Sequence, residues 1–398
     1  MHFDKLNVKK QELLIAINMR NPFLVSGYIT EEYFCDREEE SKNLIRLVTN
    51  GNNVALVSPR RMGKTGLIEH CFRNQKIAGD YYTFFVDIYA TSNLSEFVYK
   101  LGKEIFERLK PKGKSIIDNF FAVISSLRAG FRLDERSGAP VFDIGIGEIK
   151  SPEFTLEEIF KYLNTADKPC IIAIDEFQQI AKYPEKNIEA ILRTHIQKTA
   201  KSNFIFSGSQ RHILNEMFFS ASKPFYQSAV LQSLDVIDKK EYIKFASKLF
   251  AKAGKDVDNK FIERTYDLFE GHTFYVQAVL NQLFSELDDN EKCTDSIFSI
   301  AVKNRVHSYE TLFSEILNLL SERQKECLLA IAKAGKASNI TGGDFVKKYS
   351  LYSSASVQSS VRQLLEKELL TKNQNTYSIY DRFFAFWLKS YYGIYPYN

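Results

Sequence analysis

Short apolar runs alternate with helical patterning through the first half of the chain, and amphipathic helical patterning dominates the second. Residues 37–48 combine strong helix formers with an apolar stripe and stop near Asn50-Gly51, which predicts a helix. Val54-Ala55-Leu56-Val57 is bounded by Asn52-Asn53 and Ser58-Pro59 and reads as a strand; helical spacing returns after Gly63 through Leu67, Ile68 and Phe72. Apolar runs at 82–88, 170–174 and 203–206 predict three more strands separated by helical stretches. That alternation predicts an α/β fold, a parallel sheet with helices on both faces.

Between the second and third of these strands lies an insertion, about 91–165, with helices expected at 94–109 and 116–127 and a hairpin through 140–146. After about Leu234 the β-branched runs give way to amphipathic helices, from Asp238-Lys239-Lys240-Glu241-Tyr242 through 274–280, which predicts a separate helical domain. The last section reads helix (322–334), turn, helix (343–349), turn, helix (354–369), then two short extended pieces around a polar turn at 371–379. This order is that of a winged helix-turn-helix. Three domains are therefore expected, at 1–234, 235–316 and 317–398, and no internal repeat is visible.

A length of 398 residues suits two or three domains, and 44% apolar with 26% charged residues is a globular composition that argues against a disordered or low-complexity chain. No uncharged apolar run approaches the roughly 18 residues of a membrane span, and the first residues lack a signal-peptide pattern. A cytoplasmic protein without a membrane partner is expected. Five cysteines without a C-x-x-C pair signal neither a disulfide framework nor a zinc ribbon, and six scattered histidines form no H-E-x-x-H. Gly145-Ile146-Gly147 is too short and misplaced to be a dinucleotide fingerprint. The formal charge is +4; from Leu317 onward 11 basic residues face 6 acidic ones, against 42 and 43 before it. This C-terminal excess is compatible with an acidic partner such as nucleic acid, and equally with an ordinary solvated surface.

The most informative segment is Ser58-Pro59-Arg60-Arg61-Met62-Gly63-Lys64-Thr65-Gly66. It follows the P-loop pattern G-x-x-x-x-G-K-[ST] except that Ser58 stands at the first glycine, and it lies between a predicted strand and a helix. A phosphate chain needs converging backbone N–H groups, a helix N-terminus and a cation, and Gly63 lets the backbone approach the oxygens. Lys64 is expected to reach the β- and γ-phosphates and Thr65 to offer its hydroxyl to Mg²⁺, while Arg60 and Arg61 either add positive field or face solvent. Asp175-Glu176 closes the strand ending at Ile174: a carboxylate at the end of a buried strand needs compensation, so Asp175 is the expected Mg²⁺ residue and Glu176 the general base for an attacking water. The alternative role of Glu176 is a solvated strand-end carboxylate or a structural ion pair. After the next strand, Ser207-Gly208-Ser209-Gln210-Arg211 offers Ser209 to position that water and Arg211 to touch the γ-phosphate in its own subunit or a neighbour's, or simply to sit at the surface.

These residues resemble the AAA+ superfamily of P-loop NTPases, and within it the STAND-type archaeal and bacterial ATPases whose P-loop reads G-P-R-R-x-G-K-[ST]. Phe34-Cys35-Asp36-Arg37-Glu38-Glu39-Glu40 is similar to that family's F-x-G-R-E-x-E opening, 169–177 to its hhhhDE strand, and Phe206-Ser207-Gly208-Ser209 to its sensor-1 strand. Gly271-His272-Thr273-Phe274-Tyr275 resembles the G-x-P-x-Y lid motif, and 377–388 the Y-x-I-x-D-x-x-F-x-x-W-L end of its winged helix. The resemblance implies ATP and Mg²⁺ as cofactors and a lid and winged helix that respond to nucleotide state. Ser58, Asp36 and Thr273 depart from the pattern, and the lid motif carries no evident sensor-2 arginine, though Arg264 lies nearby.

Two functions follow. One is a slow ATP-hydrolysing molecular switch read by a partner protein, with a homo-oligomer left open. The other is a DNA-binding ATPase similar to archaeal replication initiators, contacting DNA through 354–378 with Ser356, Gln358, Ser359, Arg362 and Lys372. The aromatic tail (Phe383, Phe384, Phe386, Trp387, Tyr391, Tyr392, Tyr395) is expected to be core, buried against the ATPase domain, rather than a base-stacking platform.

Overall fold

The structure, a computed structural model, describes residues 21–109, 114–126, 131–133, 140–142 and 149–393. Two compact units divide between Ile237 and Asp238, with residues 21–25 belonging to the second.

The first unit is built on five parallel strands: β1 (Val54–Val57), β2 (Tyr82–Asp87), β5 (Cys170–Asp175), β6 (Ser202–Gly208) and β7 (Val230–Ser233), in the order β2-β5-β6-β1-β7. A separate antiparallel pair, β3 (Phe131–Leu133) with β4 (Pro140–Phe142), lies between β2 and β5 in sequence. Because parallel strands need helical crossovers, both faces of the sheet are covered and side chains alternate between two cores. Val54, Leu56, Ile171, Ala173 and Ile205 join helices Glu38–Thr49 and Lys64–Arg73 in one. Ala55, Val57, Ile172, Ile174, Phe204 and Phe206 join helices Leu94–Leu109 and Pro152–Thr165 in the other.

The structure corrects several expectations. The extended residues at 140–142 pair with 131–133, upstream of the expected hairpin, whose residues 143–146 lie outside the described ones. The helix expected at 116–127 runs Lys114–Val123. Helix Pro152–Thr165 and strand β7 were not anticipated. β7 is a four-residue edge strand marked in the sequence only by the three-residue apolar run Ala229-Val230-Leu231, and it leaves Val230 and Leu231 exposed; Gln232 is its one buried residue and donates to the Glu40 carbonyl at 2.8 Å.

Glu158 anchors the end of helix Lys114–Val123. Although buried, it accepts hydrogen bonds from the backbone N–H groups of Ser125 (3.2 Å) and Ser126 (3.0 Å) and from both their hydroxyls.

The second unit contains helices Lys239–Lys252, Asn259–Leu268, Thr273–Glu286, Asp295–His307 and Glu310–Asn318, followed by helices Glu322–Ala334, Gly343–Lys348 and Ser354–Glu366. A three-stranded sheet, β8 (Ala337–Ser338), β10 (Thr376–Ile379) and β9 (Leu370–Asn373) in that order, completes the winged-helix pattern before helix Arg382–Tyr391. Phe383, Phe384, Phe386 and Trp387 are buried as expected, and within this unit Phe383 meets Phe269, Tyr275 and Tyr309, while Phe384 and Trp387 meet Phe313. Apolar periodicity specifies a buried face and is silent on what covers it. Tyr391 and Tyr392 are exposed, and Tyr395 lies outside the described residues.

Burial opposes ionisation of Glu158, but its four hydrogen bonds outweigh it and hold the carboxyl below the ordinary glutamate value. A depressed folded pKa stabilises the fold above the unfolded value, and that contribution disappears as pH falls through the folded one. Glu158→Gln should therefore lower the urea midpoint at neutral pH and flatten the acid limb of the stability curve, measured by urea unfolding between neutral and acid pH.

Candidate active site

β1, β5 and β6 end at the same edge, with Val57 opposite Gly208 and Ile174 opposite Phe206, so the residues that follow them converge. Ligands of open parallel sheets bind outside such carboxyl ends. The loop after β1 turns through left-handed backbone at Arg61 (φ 66°) and Gly63 (φ 88°) before helix Lys64–Arg73 begins. Arg37 braces the loop from beneath: it is buried, pairs with Glu40 at 2.8 Å, and reaches the Met62 carbonyl at 3.5 Å. Asp36 (φ 49°) and Arg37 (φ 73°) are both left-handed, which explains a glycine at the position of Asp36 in the related pattern and why aspartate, tolerant of this region, replaces it.

Lys64 is only 7% exposed and donates to the Ser58 carbonyl (3.2 Å), the Ser58 hydroxyl (3.3 Å) and the Pro59 carbonyl (3.2 Å). Burial lowers its pKa, and the charges of Asp175 and Glu176 oppose that shift. Ser58, fully buried where the pattern has glycine, thus supplies the lysine with an extra acceptor. Met62 is buried in the core that holds Val54 and Leu56, while Arg61 and Thr65 are exposed and Gly66 sits against the Phe34 ring.

Asp175 gathers three donors. Its Oδ1 accepts from the Ser207 hydroxyl at 2.6 Å and the Glu176 N–H at 3.1 Å, and its Oδ2 from the Thr65 hydroxyl at 3.3 Å. Burial nevertheless pushes this carboxyl up, against the pull of Ser207 and Lys64. The next residue, Glu176, adopts left-handed backbone (φ 55°) and accepts from the Ser209 hydroxyl at 2.8 Å and from the Gln178 amide. Ser209 also accepts from Arg60 Nε at 3.2 Å, so the P-loop and the strand-end glutamate are joined through one hydroxyl.

The expected residues therefore gather at one end of the sheet in two hydrogen-bonded groups, Lys64 with Ser58 and Pro59, and Thr65, Asp175, Glu176, Ser209 and Arg60 in a chain. Arg211 joins neither; it is exposed at the start of helix Arg211–Phe219. Arg264, near the lid motif, pairs with Asp295 at 2.5 Å in the second unit. Two participants were missed. Gln178 stands beside Gln179 with no signal of its own, and Ser207 is one of several polar residues that end a strand; the turn at 177–182 brings Gln178 to Glu176, and the pairing of β5 with β6 brings Ser207 to Asp175.

A family model described as an ATPase domain predominantly from Archaea matches residues 34–279. The chain belongs to this family. A second model, a probable winged helix domain, matches 311–390. Among solved structures the family ATPase described here is similar to a Walker-type ATPase of Pyrococcus abyssi, with 18% identity and a TM-score of 0.64 over 92% of this chain and 99% of that one. The ORC2 protein of Aeropyrum pernix in ADPNP–ADP complexes is similar at 14% identity and TM-score 0.57, covering 94% and 98%. The ORC1 protein of Aeropyrum pernix in complex with DNA gives 13%, 0.51, 94% and 97%. These likenesses show a P-loop NTPase fold, and the second family model a C-terminal winged helix. No curated protein sequence matches the chain.

Gly208 makes the site possible. A Cβ there would overlap the Gln178 Oε1 and lie 2.7 Å from Leu214 Cδ1. Gly208→Ala should cost about 1–3 kcal/mol by overpacking, read as a lower urea midpoint, and should slow ATP turnover by displacing Gln178.

Proposed function

We propose that the protein binds ATP with Mg²⁺ and hydrolyses it slowly, as a nucleotide-dependent switch read by a partner protein. The observation that carries this reading is the convergence of Lys64, Thr65, Asp175 and Glu176 at one end of the sheet, each held by hydrogen bonds.

Lys64 would transfer its donors from the loop carbonyls to the β- and γ-phosphates, where its charge replaces lost hydration. The N–H groups of the loop and of helix Lys64–Arg73 would take the remaining phosphate oxygens. Thr65 Oγ1 and Asp175 Oδ2, 3.3 Å apart, are hard oxygen donors of the kind Mg²⁺ takes singly or in pairs, so the residues fit this ion. When bound, Mg²⁺ supplies charge neutralisation across the phosphates. Glu176 would accept the proton of the attacking water, and Ser209 holds that carboxylate in place.

A switch read by protein is favoured over one read by DNA because the helix that would enter a groove, Ser354–Glu366, has one cation, Arg362, with Glu366 beside it at 3.9 Å. Gln358, Ser359 and Lys372 are exposed and Ser356 is half-buried. Phosphate recognition depends on clustered positive charge.

Lys64→Ala should weaken ATP binding about 10- to 100-fold, the loss expected for a charge-assisted contact, measured by calorimetric titration. Glu176→Gln should retain ATP affinity while turnover falls about 10²- to 10⁴-fold in a phosphate-release assay. Turnover of the parent protein should be indifferent to duplex DNA; stimulation that fades with salt would instead select the DNA reading.

A further inference from the structure

Gln178 has the features of a residue retained for function at the expense of stability. It is 3% exposed, its Nε2 donates to Glu176 Oε2, and its Oε1 is buried without a hydrogen-bond partner. A buried acceptor left unpaired costs about 1–3 kcal/mol. Turning the amide over would not recover that cost, because it would set the oxygen against a carboxylate. The orphan oxygen instead occupies the space that Gly208 leaves by lacking a Cβ.

On its other side the same Glu176 oxygen is held by Ser209. The Ser209 hydroxyl accepts from Arg60 Nε and donates to Glu176 Oε2 at 2.8 Å, and the Arg60 bond leaves that proton directed at Glu176. Both donors therefore act on Oε2, and among the described residues Oε1 of Glu176 takes no hydrogen bond. Phe177, fully buried against Phe206 at 4.5 Å and Phe225 at 5.3 Å, fixes the backbone between Glu176 and Gln178, so the left-handed turn at Glu176 cannot relax into the site.

We infer that Gln178 and the Arg60–Ser209 pair are positioning residues that clamp one oxygen of Glu176 and leave the other to take the proton of the attacking water. This rests on the reading of Glu176 as the general base. The clamp also ties that base to the phosphate loop, since Arg60 belongs to the loop and Ser209 follows β6. A change in the loop at Arg60 would loosen the Ser209 bond and with it the base.

The test compares parent, Gln178→Met, Ser209→Ala, the double variant and Glu176→Gln in single-turnover hydrolysis of radiolabelled ATP with protein in excess, together with ATP affinity and urea unfolding. Methionine conserves the volume of glutamine and removes both the donor and the orphan acceptor. Gln178→Met should unfold at the same or a higher urea concentration, bind ATP within about twofold of the parent because Lys64 and the loop are untouched, and hydrolyse it about 10- to 100-fold more slowly. Since both donors hold one oxygen, the double variant should be less impaired than the product of the two single losses. Gln178→Met with parental hydrolysis beside an inactive Glu176→Gln would overturn the clamp and leave the base in place. Parental hydrolysis by Glu176→Gln would overturn the base itself, and the clamp with it. A Gln178→Met variant that loses stability and rate together would mark Gln178 as a core residue and also overturn the proposal.

Discussion

A buried strand can carry chemistry only where it ends. The strand Cys170–Asp175 has five successive buried residues, four of them strongly apolar or small and all covered by one of two cores, so its first carboxylate can appear no earlier than the edge of the sheet. β1 and β6 obey the same constraint, and because all three run parallel their polar ends meet. Lys64, Asp175, Glu176 and Ser209 are neighbours for that reason, although 145 positions separate the first from the last in sequence.

Backbone conformation refines what the sheet places. Arg61, Gly63 and Glu176 are left-handed within the site, and Asp36 and Arg37 just outside it. For residues with a Cβ such conformations cost on the order of 1 kcal/mol or more each and persist only where surrounding contacts enforce them. Phe177 in the aromatic core enforces Glu176, and the Arg37 contacts to Glu40 and the Met62 carbonyl tie the opening segment to the loop.

The second unit joins its lid segment to its winged helix by charge. Glu270, left-handed at φ 51°, pairs with Lys336 at 3.1 Å and Arg382 at 3.4 Å, one carboxylate against two cations from different elements. Two residues on, His272 is kept neutral, its pKa pushed down to about 4 chiefly by burial and further by Arg382. Gly271 between them is left-handed, and a Cβ there would lie 2.5 Å from the Tyr266 ring. Thr273, where the related motif has proline, opens helix Thr273–Glu286, a first-turn position that suits proline because its N–H is not needed. The segment that resembles a nucleotide lid is thus fastened directly to the winged helix.

Local features were legible wherever the chemistry is local. The P-loop, the strand ending in Asp175-Glu176 and the winged-helix order each depend on residues close in sequence, and the double-sided burial of parallel strands prints itself as uninterrupted apolar runs. β7 was not legible because an edge strand buries only Gln232, and the partner of the aromatic tail was not because a buried stripe does not name what covers it. Gln178 is the sharpest case. Nothing near it in sequence distinguishes it from Gln179, yet one amide reaches the Glu176 carboxylate and the other the Thr91 carbonyl. Motif spacing specifies which residues carry the chemistry; how their side chains are held depends on contacts between elements distant in sequence, such as Ser207 with Asp175, Ser209 with Glu176, Arg60 with Ser209 and Gln178 against Gly208, and those exist only once the sheet has brought the strand ends together.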